Sequence, residues 1–144
     1  MSNEAAWITY LLDKVVGKDP DSCALIEQCG RGCALRRGDL AGMEALRKAA
    51  IESGCRTDEE FALYLKNNLP FEVDLIDGGL VMHLQKDGCT CDMAPDVASA
   101  VLCNCTVGHE KATWSVYFGK PLKAEIVESW LRGGSDCVVK LIYR

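Results

Sequence analysis

The spacing of apolar residues changes once along the chain, and this change limits the fold more than any other feature of the sequence. Before Pro70 the apolar residues recur every three or four positions, as Trp7 and Leu11 do, which is typical of helices that bury one face. After Pro70 they alternate with polar residues, as Phe71 and Val73 do, which is typical of strands. The order of elements predicts an α+β fold, with N-terminal helices packed on an antiparallel sheet.

Turn and cap residues set the expected boundaries. Thr57 followed by Glu60 is a capping-box pattern that opens a helix, and residues 77–79 (Asp-Gly-Gly) are a hairpin turn. The predicted helices span residues 3–17, 22–37, 39–53, 57–69 and 108–119, and the predicted strands span 71–76, 80–85, 122–131 and 136–143. A chain of 144 residues can bury a self-sufficient core, so residues 1–144 are expected to form one domain.

Charge and hydropathy exclude several classes of partner. The net charge is −5, and no basic run exceeds the pair Arg36-Arg37, so nucleic acid is not an expected partner. No apolar run approaches the roughly 20 residues that cross a bilayer. Glu4 precedes the N-terminal apolar segment and Asp13 lies inside it, whereas a signal peptide has early positive charge and an uninterrupted apolar segment. We therefore expect a cytoplasmic protein.

Four of the nine cysteines form two Cys-x-Cys pairs, Cys89 with Cys91 and Cys103 with Cys105. A reducing cytosol disfavours disulfides, which leaves metal ligation, thiol chemistry or simple burial. Residues i and i+2 of an extended chain point to the same side, so two pairs can present four sulfurs to one centre. Four thiolates suit a tetrahedral zinc ion or, alternatively, an iron–sulfur cluster. The sequence thus predicts a metal site at these four cysteines.

Three further residues are candidate site residues. Cys29 and Cys33 lie one helical turn apart, and Gly30 and Gly32 beside them leave room for a neighbouring segment. The alternative interpretation is that both cysteines are small core residues. His109 follows the second pair and is interpreted as a metal ligand, as a base for a nearby thiolate, or as a helix-end histidine without a role.

Part of the sequence resembles a known family. The segment CGRGCA (29–34), the two Cys-x-Cys pairs and residues 106–143 are similar to a cysteine-rich prokaryotic family of unassigned function that is associated with L-2-amino-thiazoline-4-carboxylate hydrolases. Residues 40–85 carry no matching motif. The resemblance implies that the cysteines of the helix and those of the two pairs belong together.

The last forty residues also resemble the wider 4-vinyl-reductase domain superfamily, whose members enclose a hydrophobic small molecule and in some cases a zinc ion. Cys137 matches a cysteine near the end of that domain. Zinc-holding members have a second cysteine eight residues earlier, where this chain has Ser129. The resemblance therefore implies the fold and a pocket between helices and sheet, while the metal site of the superfamily is not present intact.

Three functions remain open at this point. The first is a metal- or small-ligand-binding protein with a multi-thiolate site. The second is a hydrolase of a small cyclic substrate such as a thiazoline carboxylate, with a cysteine as nucleophile or metal ligand and His109 or Glu110 as base. The third is a thiol redox protein. The sequence assigns no catalytic residue and leaves open whether the protein is an enzyme. A small-molecule ligand and a second copy of the chain are the partners considered.

Overall fold

A computed structural model of the protein describes residues 2–14, 20–85, 96–97 and 99–144. Its elements confirm the α+β class that the change of spacing predicts. The helices are α1 (Asn3–Lys14), α2 (Pro20–Arg37), α3 (Asp39–Glu52), α4 (Asp58–Asn68) and α5 (Cys103–Phe118). The strands are β1 (Glu72–Ile76), β2 (Gly79–Gln85), β3 (Lys123–Glu128) and β4 (Cys137–Ile142), and short 3₁₀ turns occupy Ala100–Leu102 and Trp130–Arg132.

The local signals of the sequence fix the ends of the middle elements. The Thr57 side chain accepts a hydrogen bond from the Glu60 backbone N–H, and the Glu60 side chain accepts one from the Thr57 backbone N–H. This capping box satisfies two backbone donors that the first turn of α4 leaves without helical partners. Gly78 has a φ of 71°, a left-handed conformation that glycine adopts without a steric penalty, and it turns β1 into β2. Helix α4 therefore has the predicted cap, Thr57, and strand β2 begins at Gly79, one residue before the predicted position.

The strands form one antiparallel sheet in the order β1-β2-β4-β3. In this order β4, the last strand of the chain, lies between the first hairpin and β3. The register places Glu72 opposite His83 and Met82 opposite Val139. The two central strands are thus β2 and β4, which are far apart in the chain.

The main core lies between this sheet and the helices α4 and α5. Phe61 and Leu65 of α4 belong to one buried cluster with Trp114 and Tyr117 of α5. The rings of Phe61 and Tyr117 pack edge to face, with centroids 5.6 Å apart. Such pairs add to the stabilisation that comes from burial alone. The sheet contributes buried apolar residues from three strands: Val73, Leu80, Met82, Val139 and Leu141. Helix α5 packs against helices α2 and α3 as well as against strand β3, so it joins the helical layer to the sheet.

Three boundaries differ from the expectations by two residues or more, and the predicted end of α1 at residue 17 lies outside the described residues. Helix α5 begins at Cys103 instead of residue 108, because the Ser99 side chain accepts a hydrogen bond from Val101 N–H and starts a 3₁₀ turn that leads into the helix. Strand β3 ends at Glu128 instead of residue 131, because Ser129 begins the second 3₁₀ turn by accepting a bond from Arg132 N–H. Helix α2 begins at Pro20, a position where proline needs no hydrogen-bond partner for its nitrogen.

Among the described residues, no helix is both long enough and apolar enough to span a membrane.

Candidate functional site

Helices α2 and α5 cross in direct backbone contact, and two glycines permit it. A Cβ atom on Gly30 would lie 1.8 Å from the carbonyl oxygen of Cys105, and a Cβ on Gly108 would lie 1.7 Å from the carbonyl oxygen of Glu27. The expectation that a segment approaches α2 at its glycines is confirmed at Gly30. At Gly32 it is wrong, because a Cβ there would meet only the side chain of Arg36, at 3.1 Å. The crossing places the cysteine-bearing turn of α2 beside the first turn of α5.

The start of α5 at Cys103 changes the geometry of the second Cys-x-Cys pair. Helical residues two positions apart point in directions that differ by roughly 200°, so the argument from an extended chain does not hold for this pair. Cys103 is buried, and its sulfur lies 3.2 Å from Ser129 Oγ, within hydrogen-bonding distance. Cys105 instead packs on a small cluster that contains Ala5 and Leu12 of α1. The two side chains therefore enter different surroundings.

The structure describes only some of the other cysteines that were predicted as metal ligands. Cys89 and Cys91 lie outside the described residues. Cys29 is exposed and Cys33 is half-buried on α2. Within the described ranges, no cysteine sulfur belongs to a group of three donor atoms that lie within 4.8 Å of one another. The four-cysteine metal site remains a prediction.

His109 is held between two carboxylates. Its Nε2 lies 2.9 Å from Asp39 Oδ2, and its Nδ1 lies 3.5 Å from Glu110 Oε1. Glu110 is buried, and its Oε2 accepts a hydrogen bond of 2.6 Å from Trp114 Nε1. The hydrogen bond to Glu110 raises the pKa of His109, burial opposes this, and Asp39 adds to the increase. Because both ring nitrogens face carboxylates, the imidazole is arranged to hold a proton and to link α3 to α5.

A narrow cavity lies between the first turns of α5 and the β3–β4 edge of the sheet. Three segments line it: Leu102, Cys103 and Thr106; Ile126, Glu128, Ser129 and Leu131; and Cys137, Val138 and Val139. Most of these side chains are apolar, with a few hydroxyl, thiol and carboxylate groups among them, which is the usual composition of a small-molecule site. The cavity volume is about 20 Å³, which is room for about one water molecule.

The connection from β3 to β4 closes this cavity on one side. Glu128 Oε1 accepts a hydrogen bond of 3.1 Å from the Ser135 backbone N–H. A Cβ on Gly134 would lie 2.3 Å from Glu128 Cγ, so the loop passes directly over that side chain. Both contacts are near the surface. They hold residues 129–135 against the end of the sheet.

The resemblance had singled out Ser129 and Cys137, and the structure places both on this cavity together with Cys103. The spacing argument had assigned Cys103 to a different group of cysteines. Cys103 and Ser129 are 26 positions apart in the chain, so no local sequence pattern could indicate that they are in contact. Asp39 and Glu110, which hold His109, were likewise not predicted as a pair.

No family model matches the sequence, and no curated protein matches it. The resemblances to the hydrolase-associated family and to the 4-vinyl-reductase superfamily therefore remain hypotheses.

Among solved structures, the chain is similar to the phenol-responsive sensory domain of the transcription activator PoxR, in a crystal structure with phenol. The two share 18% sequence identity with a TM-score of 0.53, and the match covers 96% of this chain and 72% of that chain. An identity this low shows the fold alone: helices followed by a four-stranded antiparallel sheet, as in the sensory domain.

Proposed function

We propose that this protein binds a small, mainly apolar molecule in the cavity between α5 and the β3–β4 edge. The cavity itself is the observation that carries the proposal, because it combines an apolar lining with Glu128, Ser129 and Thr106 as polar groups. The sensory domain of PoxR, which has a similar fold, responds to phenol. A ligand with one ring and one polar substituent fits this composition.

Binding on this proposal requires the cavity to enlarge. An apolar cavity of about 150 Å³ is large enough to hold benzene, whereas the present volume is about 20 Å³. On this proposal residues 132–135 move outward, because their contacts with Glu128 lie near the surface, while Ser129 stays against the buried Cys103 sulfur. This outward movement breaks the contacts with Glu128 and exposes Cys137 and Val138 to solvent. The burial of apolar ligand surface offsets the free energy that is lost.

The test is calorimetric titration of the reduced, full chain with phenol and with ring compounds that lack the hydroxyl group. Ile126→Trp places a large side chain in the cavity, and Val127→Trp makes the same change at the next position, which is exposed and lies outside the lining. We expect binding in the parent protein and in Val127→Trp, and its loss in Ile126→Trp. Equal binding by both variants, or no binding of any ring compound by the parent, would contradict the proposal.

A second candidate function is a multi-thiolate metal site, with zinc, or an iron–sulfur cluster as the alternative. The contact of Gly30 with the Cys105 backbone supports it, because it brings the α2 segment of Cys29 and Cys33 beside α5. Elemental analysis of protein purified without oxygen tests this. About one zinc per chain would support the zinc site, iron with acid-labile sulfide would support a cluster, and metal-free protein would contradict both. The hydrolase and redox alternatives remain hypotheses from the sequence.

A further inference from the structure

Three metal-binding side chains come together on the outer face of the β1–β2 hairpin. Glu72 lies directly opposite His83 in the register, and Asp74 is two residues further along the same face. Val73, between the two carboxylates, points into the core, so the carboxylates face away from the helices. One donor atom from each of the three residues lies within 4.8 Å of the other two. Among the described residues, this is the one group of three donors with that property.

A buried carboxylate supports the histidine from behind. His83 Nδ1 lies 3.4 Å from Asp136 Oδ2, and Asp136 is only 7% exposed. Asp136 Oδ1 accepts a hydrogen bond of 2.7 Å from the Cys137 backbone N–H, which fixes the carboxylate. Histidine ligands of metals commonly donate their second ring N–H to such a carboxylate, which orients the ring and sets its tautomer. His83 Nε2 is within hydrogen-bonding distance of Asp74 Oδ2. With Nδ1–H donated to Asp136, Nε2 can lose its proton and offer its lone pair to an ion that replaces this hydrogen bond.

The spacing of the donor atoms suits one ion. His83 Nε2 lies 2.9 Å from Asp74 Oδ2. Adjacent ligand atoms at about 2.1 Å from one octahedral ion lie roughly 3 Å apart. Glu72 and Asp74 are exposed, so Glu72 can turn toward the same centre without displacing the core.

We propose that Glu72, Asp74 and His83 bind a divalent cation on this face, with Asp136 as the positioning residue behind His83. One imidazole nitrogen and two carboxylates suit first-row divalent ions such as Mn²⁺ and Zn²⁺, and water completes the coordination. The two carboxylates balance the charge of the ion. This site is separate from the predicted cysteine site, and it does not depend on the proposed ring-binding cavity.

The experiment is a titration of the full chain with Mn²⁺ under reducing conditions, followed by the electron paramagnetic resonance signal of the free ion. Mn²⁺ prefers oxygen and nitrogen donors to thiolates, so the cysteines do not compete for it. We expect one Mn²⁺ per chain, and spin-echo modulation from a ligating ¹⁴N. His83→Gln should lower the affinity at least 10-fold and remove the nitrogen modulation, and Asp136→Asn should lower the affinity by about 10- to 100-fold.

Two variants serve as controls. His109→Gln changes the other histidine of the chain, and Glu125→Gln removes an exposed carboxylate of β3 outside the group. Both should bind Mn²⁺ as the parent does. Near-UV circular dichroism establishes that each variant is folded, and Glu72→Gln, an exposed substitution, should weaken binding several-fold even if His83→Gln fails to fold. Absence of Mn²⁺ binding by the parent would overturn the proposal. Unchanged affinity and modulation in folded His83→Gln would overturn it as well, because the ion would then bind adventitiously elsewhere on the protein.

Discussion

Replacing Gly30 by alanine tests the close crossing of α2 and α5. The new Cβ would lie 1.8 Å from the Cys105 carbonyl oxygen and 2.9 Å from the His109 backbone nitrogen, whereas ordinary contacts are 3.4–4 Å. Both neighbours are backbone atoms inside a helix, so no side chain can rotate to relieve the contact. To reach an ordinary contact distance, α2 and α5 must move apart by more than an ångström at this crossing.

Two opposing terms set the expected change in stability. Alanine is intrinsically better than glycine in a helix by about 1 kcal/mol. Overpacking a tight contact typically costs 1–3 kcal/mol, and the depth of this clash places Gly30→Ala at or beyond the upper end of that range. We therefore expect the free energy of unfolding to fall by about 2 kcal/mol. In urea, where small proteins have slopes of roughly 1–3 kcal/mol/M, this lowers the unfolding midpoint by about 1 M.

Gly42→Ala is the matched control. Gly42 is also inside a helix, α3, but a Cβ there has no neighbour within 4 Å, and its φ is not positive. This variant should gain about 0.5–1 kcal/mol from helix propensity alone. Urea denaturation of the parent and both variants gives the comparison. If Gly30→Ala proves as stable as Gly42→Ala, the direct backbone contact between α2 and α5 does not exist.

The remaining predictions concern single side chains. Thr57→Ala removes the capping box of α4 and should cost about 1 kcal/mol in urea denaturation, whereas Thr9→Ala, which leaves every cap intact, should cost less. Since the contacts of His109 raise its pKa in the folded state, its stabilising contribution is present below the unfolded pKa and is lost as pH rises through the folded value. An NMR titration of the two histidines should place the pKa of His109 above 6.5, and Asp39→Asn should lower it; an unchanged value would refute the ion-pair geometry. Cys33→Ser should reduce the metal content of anaerobically purified protein if α2 belongs to the thiolate site, whereas unchanged metal content and thiol reactivity would make Cys33 a core residue.

The parts of the fold that the sequence predicted correctly depend on local chemistry. The capping box at Thr57 needs only residues three positions apart, and the turn at Gly78 needs only a positive φ. The change from helical to alternating spacing after Pro70 reflects which side of each element is buried, and a single element is enough to show it. Each of these signals is contained in a short stretch of sequence, so the features could be predicted without a structure.

The cavity could not be predicted in this way because its lining is assembled from distant parts of the chain. Cys103, Ser129 and Cys137 belong to a helix, a turn and a strand, and their meeting depends on β4 lying between β2 and β3. The resemblance to a ligand-binding superfamily indicated a pocket between helices and sheet but not its lining. Likewise, His83 meets Asp136 only because β2 pairs with β4.

The start of α5 at Cys103 bears directly on the predicted four-cysteine metal site. Because α5 starts at Cys103, the two side chains leave the helix in different directions: Cys103 lines the cavity and Cys105 packs toward α1. A centre shared with Cys89 and Cys91 would therefore need the first turn of α5 to unwind, or would use only one of these two sulfurs. In the second case Cys105 is the better placed, since its backbone touches Gly30 and so lies next to the turn that carries Cys29 and Cys33. Cys103 then belongs to the cavity proposed to bind a ring compound, where a small, weakly polar thiol suits an apolar ligand.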